Sequence, residues 1–399
     1  MPSLPLLKDL DVGGRKVLLR LDLNVPMDDK HNVTDDTRIR RALPTLNELC
    51  QRGARTIIIS HFGRPKGKDV PELSLAHVAG PLTEALGRYV DVTADCIGKG
   101  PETVADALKP GEFLMLENLR FHPGEEANDA DFGAALAVVG DVYVNDAFSA
   151  SHRAHASIVG LPQLLPHAAG PALQSELIAL ESTLRNPERP MLAIIGGAKV
   201  STKLKLLGNL ISNVEMLAIG GAMANTFRLA QGISVGTSRV EEDMLDTALA
   251  VLGKASEQGC KIILPIDAVV ASELAKSIET EVVTMDDMPE DKMILDIGPA
   301  SADAIANAMA RCRTVLWNGP LGAFETAPFD TATVLLAGTT AALTEARKLV
   351  SVAGGGDTVA ALSHAQVDDK LTYVSTAGGA FLEWIEGKTL PGLAIMYKE

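Results

Sequence analysis

The chain has 399 residues, 47% of them hydrophobic and 22% charged, with a formal net charge of −15. That length is too great for one compact core and fits two domains, while the composition excludes large-scale disorder. The acidic balance argues against a nucleic-acid binder or an anionic-membrane binder, so any anion must be held by cations gathered in one place.

The chain opens Met1-Pro2-Ser3-Leu4-Pro5, without the basic segment and apolar run of a signal peptide. No apolar stretch reaches transmembrane length. Expected strands in the first half are 16–23, 56–60, 113–117 and 142–145, with helical patterns at 36–52, 74–86 and 129–139 between them. Continuous apolar strands separated by helices predict a mostly parallel sheet covered on both faces. A helical stretch opens at His167 and runs to Leu184, ended by Asn186-Pro187. It reads either as a helix bridging two lobes or as one more surface helix. The second half repeats the plan, with strands at 191–195, 216–219, 261–264, 314–317 and 349–353. Helices are expected at 202–211, 241–258, 302–311, 331–346 and 358–364. The fold class is therefore α/β, with two Rossmann-like domains, each a mostly parallel sheet flanked by helices.

Cys50, Cys96, Cys260 and Cys312 are too far apart for a CxxC pair or a zinc knuckle and read as free, buried thiols. That suits a reducing, cytoplasmic compartment. Seven of the eight histidines, all but His364, lie before residue 170.

In the first half, the words RLDLNVP (20–26), SHFGRP (60–65), ENLRFHPGEE (117–126) and NDAFSASHRAHAS (145–157) follow predicted strands. The ends of parallel strands face one crevice, where ligands bind. This placement brings Asp22, Asn24, His61, Arg64, Arg120 and Arg153 to one rim, with Arg38 starting a helix beside it. Guanidiniums donate in pairs to phosphate and carboxylate. Any one of these arginines alone would more simply pair with a nearby carboxylate, and His61 could be a packing residue. The bias carries weight because four strand ends share it.

In the second half, glycines replace arginines. The words IIGGAK (194–199), AIGGAM (218–223) and VAGGGD (352–357) put Gly-Gly turns after strands, and freed amides at helix starts cradle anions. Lys199 follows the first turn, and Lys203 is expected one helical turn beyond it on the same face. Asp357 could hold Mg²⁺, which prefers oxygen ligands, or serve as a helix N-cap worth about 1 kcal/mol. Glu325 could accept from a ribose hydroxyl or be an ordinary surface residue. No G-x-x-x-x-G-K-[ST] and no strand-to-helix G-x-G-x-x-G occurs, which disfavours a dinucleotide-dependent dehydrogenase. An arginine-rich half with a glycine–lysine half suggests phosphoryl transfer between a nucleotide and an anionic metabolite. A non-catalytic, two-lobed anion binder is the rival reading.

Through RLDLNVP, DDTRIRRALPT, SHFGRP, ENLRFHPGEE, NDAF…HRAH, GGAKVSTK, LDIGP, WNGPLGAFE, AGGGDT and STAGGAFLEWIEGKTLPG, the chain resembles the phosphoglycerate kinase family over essentially its whole length. The resemblance implies reversible transfer from 1,3-bisphosphoglycerate to ADP, giving 3-phosphoglycerate and ATP, with Mg²⁺. It implies a glycerate-binding domain over 1–168, an interdomain hinge helix over 169–185, a nucleotide-binding domain over 186–375, and a segment 376–399 returning to the first domain. Glycerate contacts fall on Asp22, Asn24, Arg38, His61, Phe62, Gly63, Arg64, Arg120 and Arg153. Nucleotide contacts fall on Lys199, Lys203, Gly220, Gly221, Glu325, Gly354, Gly355, Gly356, Asp357 and Thr358, with Asp357 on the metal. Arg38, Lys199, Lys203, Gly355 and Gly378 are the expected catalytic set, completed when the two domains close, and the protein is expected to be a monomer. The chain departs from the family's usual residues at Phe62, at Ser149-Ala150-Ser151, and at Ala377, where a glycine is common.

Overall fold

In the computed structural model, which describes residues 4–184 and 186–397, alternation within the strands explains the architecture. Val17 and Leu19 pack against Ile39, Leu46 and Leu49 of the helix Thr37–Gln51. Leu18, between them, packs on the opposite face with Phe132 and Leu136 of the helix Ala130–Ala137. All three are wholly buried. A strand covered on both faces has no polar side, which is why it reads as a continuous apolar run.

The strands β1 (Lys16–Arg20), β2 (Arg55–Ile59), β3 (Val90–Val92), β4 (Phe113–Met115), β5 (Val142–Asn145) and β6 (His167–Ala169) form one parallel sheet in the order β3-β4-β2-β1-β5-β6. The order turns outward in both directions from β1, so the switch point lies there. The strands whose ends carry the four arginine-bearing words are neighbours.

A second parallel sheet is built from β7 (Met191–Ile195), β8 (Met216–Ile219) and β9 (Lys261–Ile263), joined later by three more strands. Between them the chain forms a separate antiparallel sheet from β10 (Asp267–Ala271), β11 (Glu281–Thr284) and β12 (Met293–Ile297), over Val235, Met285 and Met288. The strands β13 (Thr314–Asn318), β14 (Val350–Gly354) and β15 (Tyr373–Ser375) complete the parallel order β15-β14-β13-β7-β8-β9. The antiparallel sheet, β3, β6 and β15 are not expected from the sequence. The expected strands prove no longer than these, but β3 and β11 have exposed residues breaking their apolar runs and so do not stand out from loops.

Two compact units result: the chain up to Leu177 together with the segment from Thr389, and Ile178–Lys388. The stretch expected to be helical from His167 begins instead as β6, paired to β5 through Tyr143 and His167. The helix proper is Pro171–Leu184, and the boundary between the units falls inside it. The C-terminal segment leaves the second unit later than the sequence reading places it. The helix Gly379–Ile385 stays there because Phe381 fills the space beside Gly354 and Asn209 Nδ2 donates to the Ile385 carbonyl at 2.7 Å. From Thr389 onward the chain belongs to the first unit, where Gly392 N–H donates to Ser151 O at 2.9 Å and Leu393 and Met396 are buried. No helix among the described residues is long and apolar enough to cross a membrane.

Candidate functional site

In the first unit the rim residues are tied to one another. Arg38, second residue of its helix, donates through Nη1 to Asp22 Oδ2 at 2.7 Å. That contact uses one of the five N–H donors of a guanidinium. The Ser149 hydroxyl donates to the same Asp22 oxygen, and Asn24 N–H reaches Asp22 Oδ1 at 3.1 Å. Burial raises the cost of charge on Asp22, but His61, Arg38 and Ser149 outweigh it, and the carboxyl titrates below its ordinary 3.8. Asn24 Oδ1 accepts from Gly63 N–H at 2.8 Å, and the Gly63 carbonyl accepts from Arg120 Nη1 at 2.9 Å. Asn118 grips Phe62 from both sides, accepting from its N–H at 3.2 Å and donating to its carbonyl at 2.7 Å. The aromatic ring at this position is buried, so the bulk faces the interior. Arg64 and Arg153 are exposed and carry no ion pair among the described residues.

A residue that the sequence reading passes over underlies this rim. Arg20, the last residue of β1, is fully buried. Its Nε donates to Ser157 Oγ at 3.0 Å, Nη1 to the Leu21 carbonyl, and Nη2 to His61 Nδ1 at 3.1 Å. Ser157 in turn donates to the buried Glu125 at 2.6 Å, so a hydroxyl joins cation and anion. His61 therefore receives a hydrogen bond at Nδ1. Burial, with the charges of Arg20, Arg120 and Arg38, pushes its pKa well below 6.5 despite Asp22. The signal available in sequence was a charged residue inside an apolar strand word, since a buried charge requires partners.

In the second unit the glycine turns at 218–223 and 352–357 start helices, whereas Gly196-Gly197 does not, because the next helix begins only at Leu204. Gly221, Gly355 and Gly378 are the N-cap residues of Ala222–Ala230, Gly356–His364 and Gly379–Ile385, all with positive φ. Ala377 is not among the positive-φ residues, so its side chain imposes no strain there. The turns after β7 and β13, neighbours at the switch point, approach backbone to backbone, since a Cβ at Gly196 would overlap the Pro320 carbonyl; Gly220, after β8, packs against the Leu321 side chain. Asn318, which ends β13, is the hub that the sequence reading did not single out. Its Oδ1 accepts from Lys203 Nζ, and its Nδ2 donates to the Gly354 carbonyl at 2.6 Å. The Thr358 hydroxyl accepts from Gly319 N–H at 2.7 Å and donates to the Gly354 carbonyl at 2.8 Å, bracing the 354–358 turn from within.

Two expectations change here. Lys199 and Lys203 do not share a helical face, because the helix is Leu204–Ile211 and Lys203 is only its N-cap residue. Lys203 is half-buried, and burial lowers its pKa despite Asp357 and Glu386, whereas Lys199 is exposed. Asp357 lies in the first turn of its helix, but the N-cap position belongs to Gly355 and no side-chain cap bond forms. Its carboxylate is exposed and makes no hydrogen bond or ion pair among the described residues. A hard oxygen donor left free beside glycine amides fits the demands of Mg²⁺, which is usually held by one or two carboxylates together with substrate phosphate and water. Glu325 is likewise exposed.

The word LDIGP also acquires a role. Asp296 Oδ2 accepts from Ala332 N–H at 3.0 Å at the start of the helix Thr331–Glu345, and its carboxyl lies against Gly322. With the Leu295 carbonyl, which accepts from Ala323 N–H at 2.8 Å, it anchors both flanks of the loop that carries Glu325.

Each unit is a doubly wound α/β domain, one with guanidiniums at its strand ends and the other with glycine turns at helix starts. The family model described as phosphoglycerate kinase matches residues 7–388. The chain is 56% identical to the phosphoglycerate kinase of Rhizobium meliloti (strain 1021), over 97% of this chain and 96% of that one. It is 55% identical to that of Ruegeria sp. (strain TM1040), over 98% of each. Its structure is similar to phosphoglycerate kinase from Coxiella burnetii, with a TM-score of 0.90 at 40% identity over 99% of both chains. The similarity to the Pyrococcus horikoshii OT3 enzyme has a TM-score of 0.83 at 30% identity, covering 98% of this chain and 99% of that one. The chain belongs to the phosphoglycerate kinase family.

Proposed function

We propose that this protein transfers a phosphoryl group reversibly between 1,3-bisphosphoglycerate and Mg-ADP, giving 3-phosphoglycerate and ATP. The observation that carries the reading is the division of chemistry between the two units. One holds Arg38 on Asp22, with Arg64 and Arg153 exposed and without an ion pair among the described residues. The other holds Lys203 against Asn318 within a set of glycine N-caps, with Lys199 and Asp357 exposed.

The attacking oxygen, on the ADP terminal phosphate or on the glycerate carboxylate, is already ionised at neutral pH, so the reaction needs no general base. Catalysis must come from alignment and from charge placed where it develops. In the proposed roles, Arg64, Arg120 and Arg153 bind the glycerate with Asp22, Asn24, His61 and the 62–63 backbone. Arg38 and Lys199 clamp the transferring group, Lys203 holds the nucleotide phosphates, and the amides near Gly355 and Gly378 donate to it. Gly220, Gly221 and Glu325 receive the nucleoside, and the loop Gly354-Gly355-Gly356-Asp357-Thr358 receives its phosphates. Asp357 would hold Mg²⁺, which supplies neutralisation of phosphate charge. Both sets must act on one phosphoryl group, so we infer that the units close on their substrates and exclude water from the acyl phosphate. Cytoplasmic location and a monomeric state belong to the same proposal, and the free thiols accord with a reducing compartment.

Calorimetry with separate ligands tests the assignment. Asp357→Ala is expected to lose Mg-ADP affinity by more than tenfold while 3-phosphoglycerate binds as in the wild type. That order of loss corresponds to about 1.4 kcal/mol or more. Unchanged Mg-ADP affinity would remove Asp357 from the metal site.

A further inference from the structure

We propose that Asp95, Cys96 and His122 form a second metal site, for a borderline-soft divalent cation of the Zn²⁺ type, apart from any nucleotide-bound Mg²⁺. Their ligand atoms all lie within 4.8 Å of one another, in the one group of three such residues found among the described residues. Two loops bring them together. Asp95 and Cys96 follow β3, in a turn closed by Thr93 Oγ1 donating to the Asp95 carbonyl at 2.6 Å. His122 follows β4, after a short turn Leu119–Phe121. Since β3 and β4 pair in the sheet, their connections emerge side by side.

The arrangement is already partly ordered for coordination. His122 Nε2 lies 2.7 Å from Asp95 Oδ1, and that oxygen also accepts from Cys96 N–H at 2.6 Å. Phe132 packs against the imidazole with ring centroids 5.3 Å apart. Exposure is graded: the Cys96 residue is 1% accessible, whereas the side chains of His122 and Asp95 are 30% and 50% accessible. One side of the group is closed and the other open to an incoming ion and to water as a fourth ligand.

The donor set selects the metal. Thiolate and imidazole with one carboxylate suit Zn²⁺ or Co²⁺, while Mg²⁺ takes oxygen ligands only. Binding forms one bond each to sulfur, nitrogen and oxygen, and the proton on Cys96 Sγ passes to solvent. The cysteine spacing rightly gives no zinc word, because the histidine is supplied across the sheet.

The test is a titration of the chelator-treated, full-length protein with Co²⁺ in excess Mg²⁺. One equivalent of Co²⁺ should produce thiolate-to-cobalt charge-transfer absorption that Zn²⁺ abolishes. Cys96→Ser should remove the band, and Cys50→Ser should leave it. Because Cys96 is buried, the half-exposed His122→Asn provides a second variant. It should weaken cobalt affinity by at least about tenfold, the scale of losing even an outer partner of a ligand, with its thermal midpoint recorded alongside. Three results would overturn the proposal: no thiolate band in the wild type, a band that survives in Cys96→Ser, or unchanged affinity in a folded His122→Asn. The first would leave Asp95 and His122 as an ion pair only.

Discussion

Arg20 shows what a single residue does here that its position in the sequence conceals. A wholly buried guanidinium costs several kcal/mol unless its donors are met, and Ser157, the Leu21 carbonyl and His61 meet them. The arginine fixes the ring of His61 and so prepares the rim that carries Asp22 and Arg38. His155 lies beside the same network, with Nδ1 3.8 Å from Glu125 Oε1. Burial, followed by Arg120, Arg20, Arg153 and His152, lowers its pKa from 6.5 to about 4. The unfolded chain therefore takes up a proton below pH 6.5 that the folded chain refuses until about pH 4, so the contribution of His155 to stability falls as pH falls through that window. In His155→Gln, the decline of the thermal midpoint from pH 6.5 to 4 should be shallower than in the wild type. Parallel profiles would show that His155 is not held neutral. Ser157 and His61 lie far from Arg20 in sequence, as Asn318 does from Lys203, and such partners become visible only when the chain is folded.

Among the elements, the glycine-initiated helices are the most legible and the most constrained. Strand, glycine turn and helix recur in AIGGAM and VAGGGD, where Gly221 and Gly355 become the residues before their helices. Gly221 combines φ +67° with a backbone so close that a Cβ would lie 2.6 Å from the Gly197 oxygen. Gly221→Ala should lower the unfolding free energy by about 1–3 kcal/mol, the scale of a residue forced into strained backbone, and this is measurable by urea denaturation. A shift in the other direction would show that the turn relaxes freely. The turn after β7 is expected to put Lys199 and Lys203 on one helical face, but neither lysine lies within the helix. The helix starts only at Leu204, after Val200 and Lys203 have closed a turn of their own. The strands β3 and β11 left little trace because exposed residues break their apolar runs.

For the whole molecule, fold class was readable because the central strands of both parallel sheets are buried on two faces and read as largely apolar runs. Division into two units was readable from length and from the change from arginine to glycine. The details of the division were not. The helix Gly379–Ile385 stays with the second unit through Phe381 and Asn209, contacts that no local pattern announces. Which charged residues are engaged was equally hidden: Arg38 and Arg120 are hydrogen-bonded, while Arg64, Arg153 and Asp357 carry no ion pair among the described residues. The claim that joins these observations is that the arginines and the glycine–lysine turns serve a single phosphoryl transfer. The direct measurement is ATP formation from 1,3-bisphosphoglycerate and Mg-ADP in a coupled assay, with wild type and Arg38→Ala side by side. Wild type should form ATP at steady state, and Arg38→Ala should lose roughly 10²–10⁴-fold in kcat, the range for removing one preorganised charge donor, with its fold retained. No ATP from the wild type, or a near-wild-type kcat in Arg38→Ala, would contradict it.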